Sequence, residues 1–336
     1  LCAGKKEREM VLFDDSVKTA SSLPEPSMEL IQEICVKELG QSAREIHAIV
    51  GQGIINRVFR LVAANGDQVI LRLCNRIPTE TSLQNYDKEI WCLRFLKGCQ
   101  GFRVPIPLGR GREQTFEYML EEYIDGRPGN SQDFNQLEIW QRLGECAAVF
   151  NSKPISGYGG ELDLSAGGHF AATWQEVVQQ NLDVIFRDDY WVRSGTCTAL
   201  QVTSVSSLLQ SLCELHAPAG LVHIDLAPKN CIIEPQGSIA VIDWEMVEGG
   251  PTPYSQLAAV AGWWGAESDV YRSLRFGYEQ VVGPVEYSTD IVGALAVLNS
   301  MHSVRWAQDN DQNLVSEYSR SAAFFIDAAL RSRKGE

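Results

Sequence analysis

"LVHIDLAPKN", residues 221–230, followed by "AVIDWE" at 240–245, is the stretch that decides the fold. Apolar residues flank its polar centre: Leu221 and Val222 before it, Cys231, Ile232 and Ile233 after it. That pattern predicts two short strands around a turn. Asp225, Asn230 and Asp243 then lie where the chain reverses, the first and last separated by 18 positions, room for a loop and a short hairpin. Two carboxylates and an amide are hard oxygen donors, suited to a divalent cation and, through it, to phosphate.

Working outward, the residues before this stretch divide into two compositions. A polar lead-in covers 1–25, and "SMELIQEICVKELG" at 27–40 has helical periodicity ending at Gly40, a C-cap residue. Alternation through "HAIVGQG" and "INRVFRLVAANGDQVILRL" predicts a strand, a turn and a hairpin whose tip is Asn65-Gly66. A helix over 82–98 and strands near 103–108 and 114–121 complete a small β-rich lobe. "EEYIDGRPG" at 121–129 is a connector by its Gly and Pro content. Helical periodicity then dominates, over 133–151, 172–187, 202–216, 253–263, 268–280, 287–309 and 312–331, while "SGYGGELDLSAGGH" at 156–169 has loop composition. The expected fold class is α+β and bilobal. A small β-rich lobe with a polar lead-in occupies 1–122, a larger, mostly helical lobe occupies 123–336, and a cleft lies between them.

The whole chain has 336 residues, 43 acidic against 29 Lys and Arg, and a formal charge of −14. Such a balance argues against nucleic-acid binding and favours a cationic small-molecule partner. No apolar run reaches membrane-span length, so no membrane partner is expected, and the given sequence shows no signal pattern at its start, which is Leu1. Nine scattered cysteines without CxxC spacing read as small buried hydrophobes in a reducing, cytoplasmic compartment.

The combination His223-x-Asp225, Asn230 and Ile242-Asp243-Trp244 closely resembles the aminoglycoside phosphotransferase-like family of kinases, with landmarks over roughly 45–260. That resemblance implies a protein-kinase-like fold and transfer of a phosphoryl group from ATP, or GTP, to a hydroxyl, with Mg²⁺ as cofactor. It implies Asp225 as catalytic base, Asn230 and Asp243 as Mg²⁺ ligands, and His223 as a residue holding the catalytic loop by hydrogen bonding. The first lobe would bind the nucleotide. "GQGIINRVFRL" at 51–61 resembles the phosphate-facing loop, with Gly51, Gly53 and Asn56. Arg72 in "VILRL" stands where the family places a phosphate-contacting cation, with Glu89 as its charge partner. "YMLEEYIDG" at 118–126 resembles the strand and hinge that frame adenine: Met119 or Leu120 against the base, backbone groups of Glu121, Glu122 and Tyr123 on its polar edge.

For the acceptor, Asp188, Asp189, Glu267, Asp269, Asp309 and Asp311 are candidate partners of amines, and Trp263, Trp264 and Trp306 candidate walls against sugar faces. "SGYG", Thr173-Trp174 and the arginine of the nucleotide lobe look like the hygromycin-type branch, which makes an aminoglycoside the leading acceptor. The alternatives are a kinase of a sugar, amino alcohol or other hydroxylated metabolite, and a nucleotide-binding pseudokinase. A monomer or weak dimer is expected. One departure stands out: after Asp243 the family often continues through a G-D-P-like turn and a D-L-A helix start. This chain instead has "EGGPTPYSQLA", with Pro251, Ser255 and Gln256 in place of carboxylates.

Overall fold

A computed structural model describes residues 23–49, 56–78, 83–165, 167–187, 190–285 and 288–334. Its contacts define two compact units: Leu1–Glu80 with Leu108–Leu120, and Thr81–Pro107 with Glu121–Glu336. The division is discontinuous in sequence. The segment 81–107 between two parts of the first unit, with its helix, belongs to the second.

The first unit is a five-stranded sheet backed by one helix. Helix α1 (Met28–Leu39) begins where the Ser27 hydroxyl accepts the N–H of Leu30 at 3.1 Å, and ends at Gly40, φ 70°. Strands β1 (Ala43–Ile49), β2 (Asn56–Ala63), β3 (Gln68–Cys74), β4 (Pro107–Glu113) and β5 (Phe116–Glu122) are ordered β1-β2-β3-β5-β4. Leu30, Ile31, Ile34 and Cys35 of α1 pack against Leu61, Leu71, Leu73, Phe116, Tyr118 and Leu120 of the sheet. This is the apolar stripe of the helix meeting the inward face of alternating strands. Strand β4 starts later than its expected span of 103–108. Arg103 instead pairs in parallel with Ala240 of the second unit, its N–H donating to Ile239 O at 3.0 Å and its carbonyl accepting from Val241 N at 2.9 Å.

The second unit begins with α2 (Leu83–Leu96), followed by β6 (Arg127–Pro128) and α3 (Gln136–Asn151). Next come β7 (Tyr158–Asp163), β8 (His169–Ala172), α4 (Trp174–Arg187), α5 (Tyr190–Arg193) and α6 (Ala199–Gln210). Around the polar turn lie β9 (Ala219–His223), β10 (Cys231–Ile233), β11 (Ile239–Val241) and β12 (Val247–Pro251). Helices α7 (Tyr254–Trp264), α8 (Asp269–Val282), α9 (Thr289–Asn310) and α10 (Gln312–Lys334) close the chain. The helix expected over 202–216 stops at Gln210, and Ser211–Glu214 tighten into a 3₁₀ turn.

The loop expected over 156–169 is a correction. Strands β7 and β8 run through it and join β12 and β9 in one sheet of order β8-β7-β12-β9. Its glycines serve close backbone approach: a Cβ on Gly157 would lie 1.7 Å from Phe170 O, and one on Gly249 2.8 Å from Gly157 O. Composition alone reads such glycines as a loop. The same device joins α3 to α8. A Cβ on Gly144 would lie 1.9 Å from Leu274 O, and one on Gly277 1.8 Å from Gln141 O, so each helix carries a glycine where the other's backbone touches it.

Candidate active site

The strand β9 delivers His223 into the core, and the chain turns at once. Leu226 N bonds back to His223 O at 3.1 Å, and Pro228–Asn230 form a single 3₁₀ turn before β10. Asn230 is buried and its amide nitrogen donates twice to Asp225, to the carbonyl at 2.8 Å and to Oδ2 at 2.9 Å. Lys229 Nζ also meets Oδ2, at 2.8 Å. One carboxylate oxygen of Asp225 is therefore held by two donors, while Oδ1 has no partner among the described residues. A carboxylate so oriented, with a side chain 43% exposed, is placed to accept a proton from a solvent-side hydroxyl. The Lys229 pair is itself half exposed, which limits its energetic weight and makes its function orientation. Lysine here contacts the candidate base.

His223 sits beneath this turn. The ring is 1% exposed, its Nε2 lies 3.1 Å from Ile242 O, and it meets Trp244 edge-on at 4.7 Å between centroids. A ring nitrogen facing a carbonyl must donate, so Nδ1 is the unprotonated atom of the neutral ring, and it is buried with no partner among the described residues. Burial above all holds the imidazole's pKa below its ordinary value and keeps it neutral. His223 thus ties β9 to the segment that carries Asp243.

Asp243 comes directly after that tie. Ile242 N–H donates to Asn230 O at 3.0 Å, bringing the two candidate metal-ligand positions to one place, and Asp243 itself has φ 64°. The left-handed region is uncommon for a residue with a side chain, though Asp tolerates it better than most. The bonds of the next residue hold it there. Trp244 N–H donates at 3.0 Å to Glu89 Oε1 on α2, Trp244 Nε1 donates at 3.0 Å to Val241 O, and both Trp244 and Glu89 are 0% exposed.

Sequence reasoning gave no role to Gln256, apart from remarking that it replaces an acidic residue. In the structure it is 0% exposed at the start of α7, with Oε1 accepting His223 N–H at 2.9 Å and Nε2 donating to His223 O at 3.1 Å. A carboxylate could accept the first bond but could not donate the second. The departure from the family pattern thus supports the loop through a neutral amide. A polar residue in the first turn of an otherwise apolar helix is the signal that could have found it.

The remaining predicted residues fall on several elements. Gly51 and Gly53 lie outside the described residues. Asn56 opens β2, and Arg72, 5% exposed, lies on β3 opposite Val58. Met119 and Leu120 are fully buried in β5, and Glu121 is 6% exposed. Glu122 has little left to offer a ligand. Its N–H donates to Ile106 O at 2.9 Å and its carboxylate takes Arg103 at 2.5 Å, leaving its carbonyl, with the backbone of Tyr123 beside it. Among acceptor candidates, Asp269 pairs with Arg272 at 2.5 Å in the first turn of α8, and Asp311 accepts Asn313 N–H at 3.1 Å at the start of α10. Arg272 also donates to the carbonyl of Glu267 at 2.5 Å. Asp188, Asp189 and the Asp309 side chain lie outside the described residues. Trp264 packs edge-on against Trp140 at 6.0 Å, and Trp263 against Tyr318 at 5.1 Å.

The metal-ligand proposal has a direct structural test. Both hydrogens of the Asn230 amide face Asp225, so its Oδ1 is the end turned elsewhere, a neutral hard donor beside Asp243. Among the described residues no cluster of three His, Cys, Asp or Glu side chains could hold a metal by itself. One amide and one carboxylate, completed by phosphate oxygens and water, suit Mg²⁺, which keeps part of its own shell. The donor set fits.

The model of the phosphotransferase enzyme family (APH) matches residues 47–270. The chain belongs to this family. This phosphotransferase also shares its fold with solved structures. A thermostable mutant of aminoglycoside phosphotransferase APH(4)-Ia, in ternary complex with AMP-PNP and hygromycin B, aligns with a TM-score of 0.68 at 18% identity, over 91% of this chain and 99% of that one. A protein assigned as a fructosamine-3-kinase from Thermobifida fusca aligns with a TM-score of 0.64 at 17% identity, over 91% and 100%. The spectinomycin phosphotransferase APH(9)-Ia, with ADP and spectinomycin, gives 0.56 at 14% identity, over 91% and 99%. At these identities the likeness is one of fold. No curated protein matches the chain in sequence. The kinase-like α+β architecture and the activity class, phosphoryl transfer to a small-molecule alcohol, follow from family membership. No helix among the described residues is long and apolar enough to cross a membrane.

Proposed function

We propose that this phosphotransferase moves the γ-phosphoryl group of ATP, or of GTP, onto a hydroxyl of an aminoglycoside. The observation that carries the mechanism is the asymmetry of Asp225: Oδ2 is tied by Asn230 and Lys229, and Oδ1 is open. The acceptor oxygen attacks the γ-phosphorus while its proton passes to Oδ1. The bond from that phosphorus to the β–γ bridging oxygen breaks, and the nucleoside diphosphate leaves. Mg²⁺ held by Asn230 Oδ1 and Asp243 would supply neutralisation of phosphate charge. Within the first unit Asn56 and the buried Arg72 are the proposed phosphate contacts, with Gly51 and Gly53. In the second, Glu121, the Glu122 carbonyl and Tyr123 are proposed on the adenine edge.

Support for the aminoglycoside comes from the bound hygromycin B and spectinomycin of two structural neighbours and from the chain's charge of −14. A second reading, a sugar or other metabolite as acceptor, is favoured by the engagement of Asp269 and Asp311 in helix starts, where they are less available to amines. The test is mass spectrometry of a reaction containing Mg²⁺, ATP, GTP and a pool of aminoglycosides, sugars and amino alcohols. The expected result is one phosphate added to an aminoglycoside and lost with Asp225→Ala. Phosphate on a sugar alone would replace the acceptor class, and turnover indifferent to Asp225→Ala would overturn the assignment of the base.

A further inference from the structure

Arg103 joins three segments of the second unit. Its backbone runs beside β11, the N–H on Ile239 O and the carbonyl on Val241 N–H. Its guanidinium then divides between two carboxylates that are far apart in sequence. Nη1 donates to Glu234 Oε1 at 2.8 Å, and Nη2 donates to Glu122 Oε1 at 2.5 Å. A planar fork holds two acceptors at once in fixed directions, which a single ammonium on a flexible stem does not.

One arm fixes the end of β5. Glu122 N–H donates to Ile106 O at 2.9 Å, and its Oε2 accepts Ile106 N–H at 3.3 Å, so Arg103 and Ile106 clamp Glu122 from a single segment. Without the guanidinium the carboxylate keeps only the longer of its two bonds. Tyr123 follows directly, and with it the backbone proposed for the adenine edge.

The other arm fixes the tip of the hairpin of β10 and β11. Glu234 is 7% exposed, its Oε2 accepts Ser238 Oγ at 2.6 Å, and Gly237 N–H returns to its carbonyl at 2.8 Å, which closes the tip as a turn. The base of the same hairpin is the candidate metal site. Asn230 directly precedes β10 and Ile242-Asp243 directly follows β11, with Cys231 paired to Val241. Arg103 therefore ties the end of β5 to the hairpin that carries both metal-ligand positions. Arg142 pins this tip from α3, its Nη2 on Gly237 O at 2.6 Å, and has no bond to Glu122 among the described residues.

We propose that Arg103 is a positioning residue for the nucleotide: its two arms hold the backbone at Glu122–Tyr123 at a fixed distance from Asn230 and Asp243, so that base and phosphates are seated together. The proposal rests on the reading of that backbone as the adenine edge. Loss of the side chain releases the Glu122 carboxylate but leaves the hairpin in place, because the backbone bonds of Arg103 and the Arg142 pin remain. Nucleotide affinity then falls, while proton acceptance at Asp225, on its own loop, does not change.

Hydrogen exchange on the full chain locates the base: adenosine alone should slow exchange at 121–123 in the wild type. With the acceptor found by mass spectrometry, Arg103→Ala should raise the nucleotide KM about 10-fold, the loss of one charge-assisted hydrogen bond at a partly exposed site, with kcat and the acceptor KM near wild type. Glu122→Ala should raise it at least as much, and the double variant no further, because both changes remove the same bond. Arg103→Lys should recover part of the loss and serves as the check against misfolding. Arg142→Ala, which loosens the same hairpin tip, should leave the nucleotide KM near wild type. An unchanged nucleotide KM in Arg103→Ala, a lowered kcat in its place, an additive double variant, or an equal rise in Arg142→Ala would each overturn the proposal. No slowing at 121–123 in the wild type would overturn the adenine edge and the proposal with it. Slowing there, with the KM of Arg103→Ala unchanged, would overturn the proposal alone.

Discussion

Replacing Gln256 with Leu isolates the support beneath the candidate catalytic loop, since Leu keeps most of the volume and removes both hydrogen bonds. His223 N–H and C=O then lose partners at 2.9 and 3.1 Å, at a site where Gln256 is 0% and His223 1% exposed. The N–H, left buried and unpaired, costs about 1–3 kcal/mol, and the carbonyl, still bonded to Leu226 N–H at 3.1 Å, loses its second bond for about 0.5–1.5 kcal/mol more, about 1.5–4.5 kcal/mol together. With a shift of about 2–4 °C per kcal/mol for a unit of this size, Tm should fall by roughly 3–18 °C. Gln256→Glu should also destabilise, because the carboxylate loses the bond to His223 O and buries a charge. Urea unfolding at neutral pH measures the stability, and acceptor turnover well below the transition measures the loop. Activity should fall with Gln256→Leu even where the protein remains folded, because Asp225 lies two residues from the released position. A stability within about 0.5 kcal/mol of wild type, the ordinary range of a surface change, would refute the reasoning.

Three other outcomes are expected. Asp225→Ala should lower kcat by about 10²–10⁴-fold with nucleotide binding retained, whereas Asp243→Ala should weaken the Mg²⁺ dependence of nucleotide binding, read by titrating Mg²⁺ against a fluorescent nucleotide. His302 is held at about 4 by burial and then by Arg305, against an ordinary imidazole near 6.5, so between these values the unfolded chain binds a proton that the folded chain refuses. Stability should be complete above pH ~6.5 and fall by ~3 kcal/mol as pH drops toward 4, a slope that urea titrations should find reduced in His302→Gln. Gly277→Ala, whose new Cβ would sit 1.8 Å from Gln141 O, must push α8 off α3 and should cost ~3 kcal/mol or more in the same assay.

Much of this protein was legible from local pattern. The polar turn after Val222, the hairpin at Asn65-Gly66 and helices α1, α3, α8, α9 and α10 depend on periodicity and on caps such as Ser27 and Gly40, which act within a turn or two of themselves. The clustering of Asp225 and Asn230 is of the same kind, since five residues and one 3₁₀ turn bring them together. Strands β7 and β8 were not legible, because Gly157 and Gly249 serve a close approach between segments far apart in sequence, and nothing beside them in the chain reports it.

The site shows the same division. Residue types and spacing determined which side chains carry hard oxygens and that they return to one place. Tertiary structure decided which oxygen of Asp225 stays open, that Glu89 meets the Trp244 N–H from 155 residues away, and that Gln256 grips both polar groups of His223 from 33 away. Those bonds join groups that only packing brings together. Their cost when unmade comes from burial, and burial is a property of the folded whole.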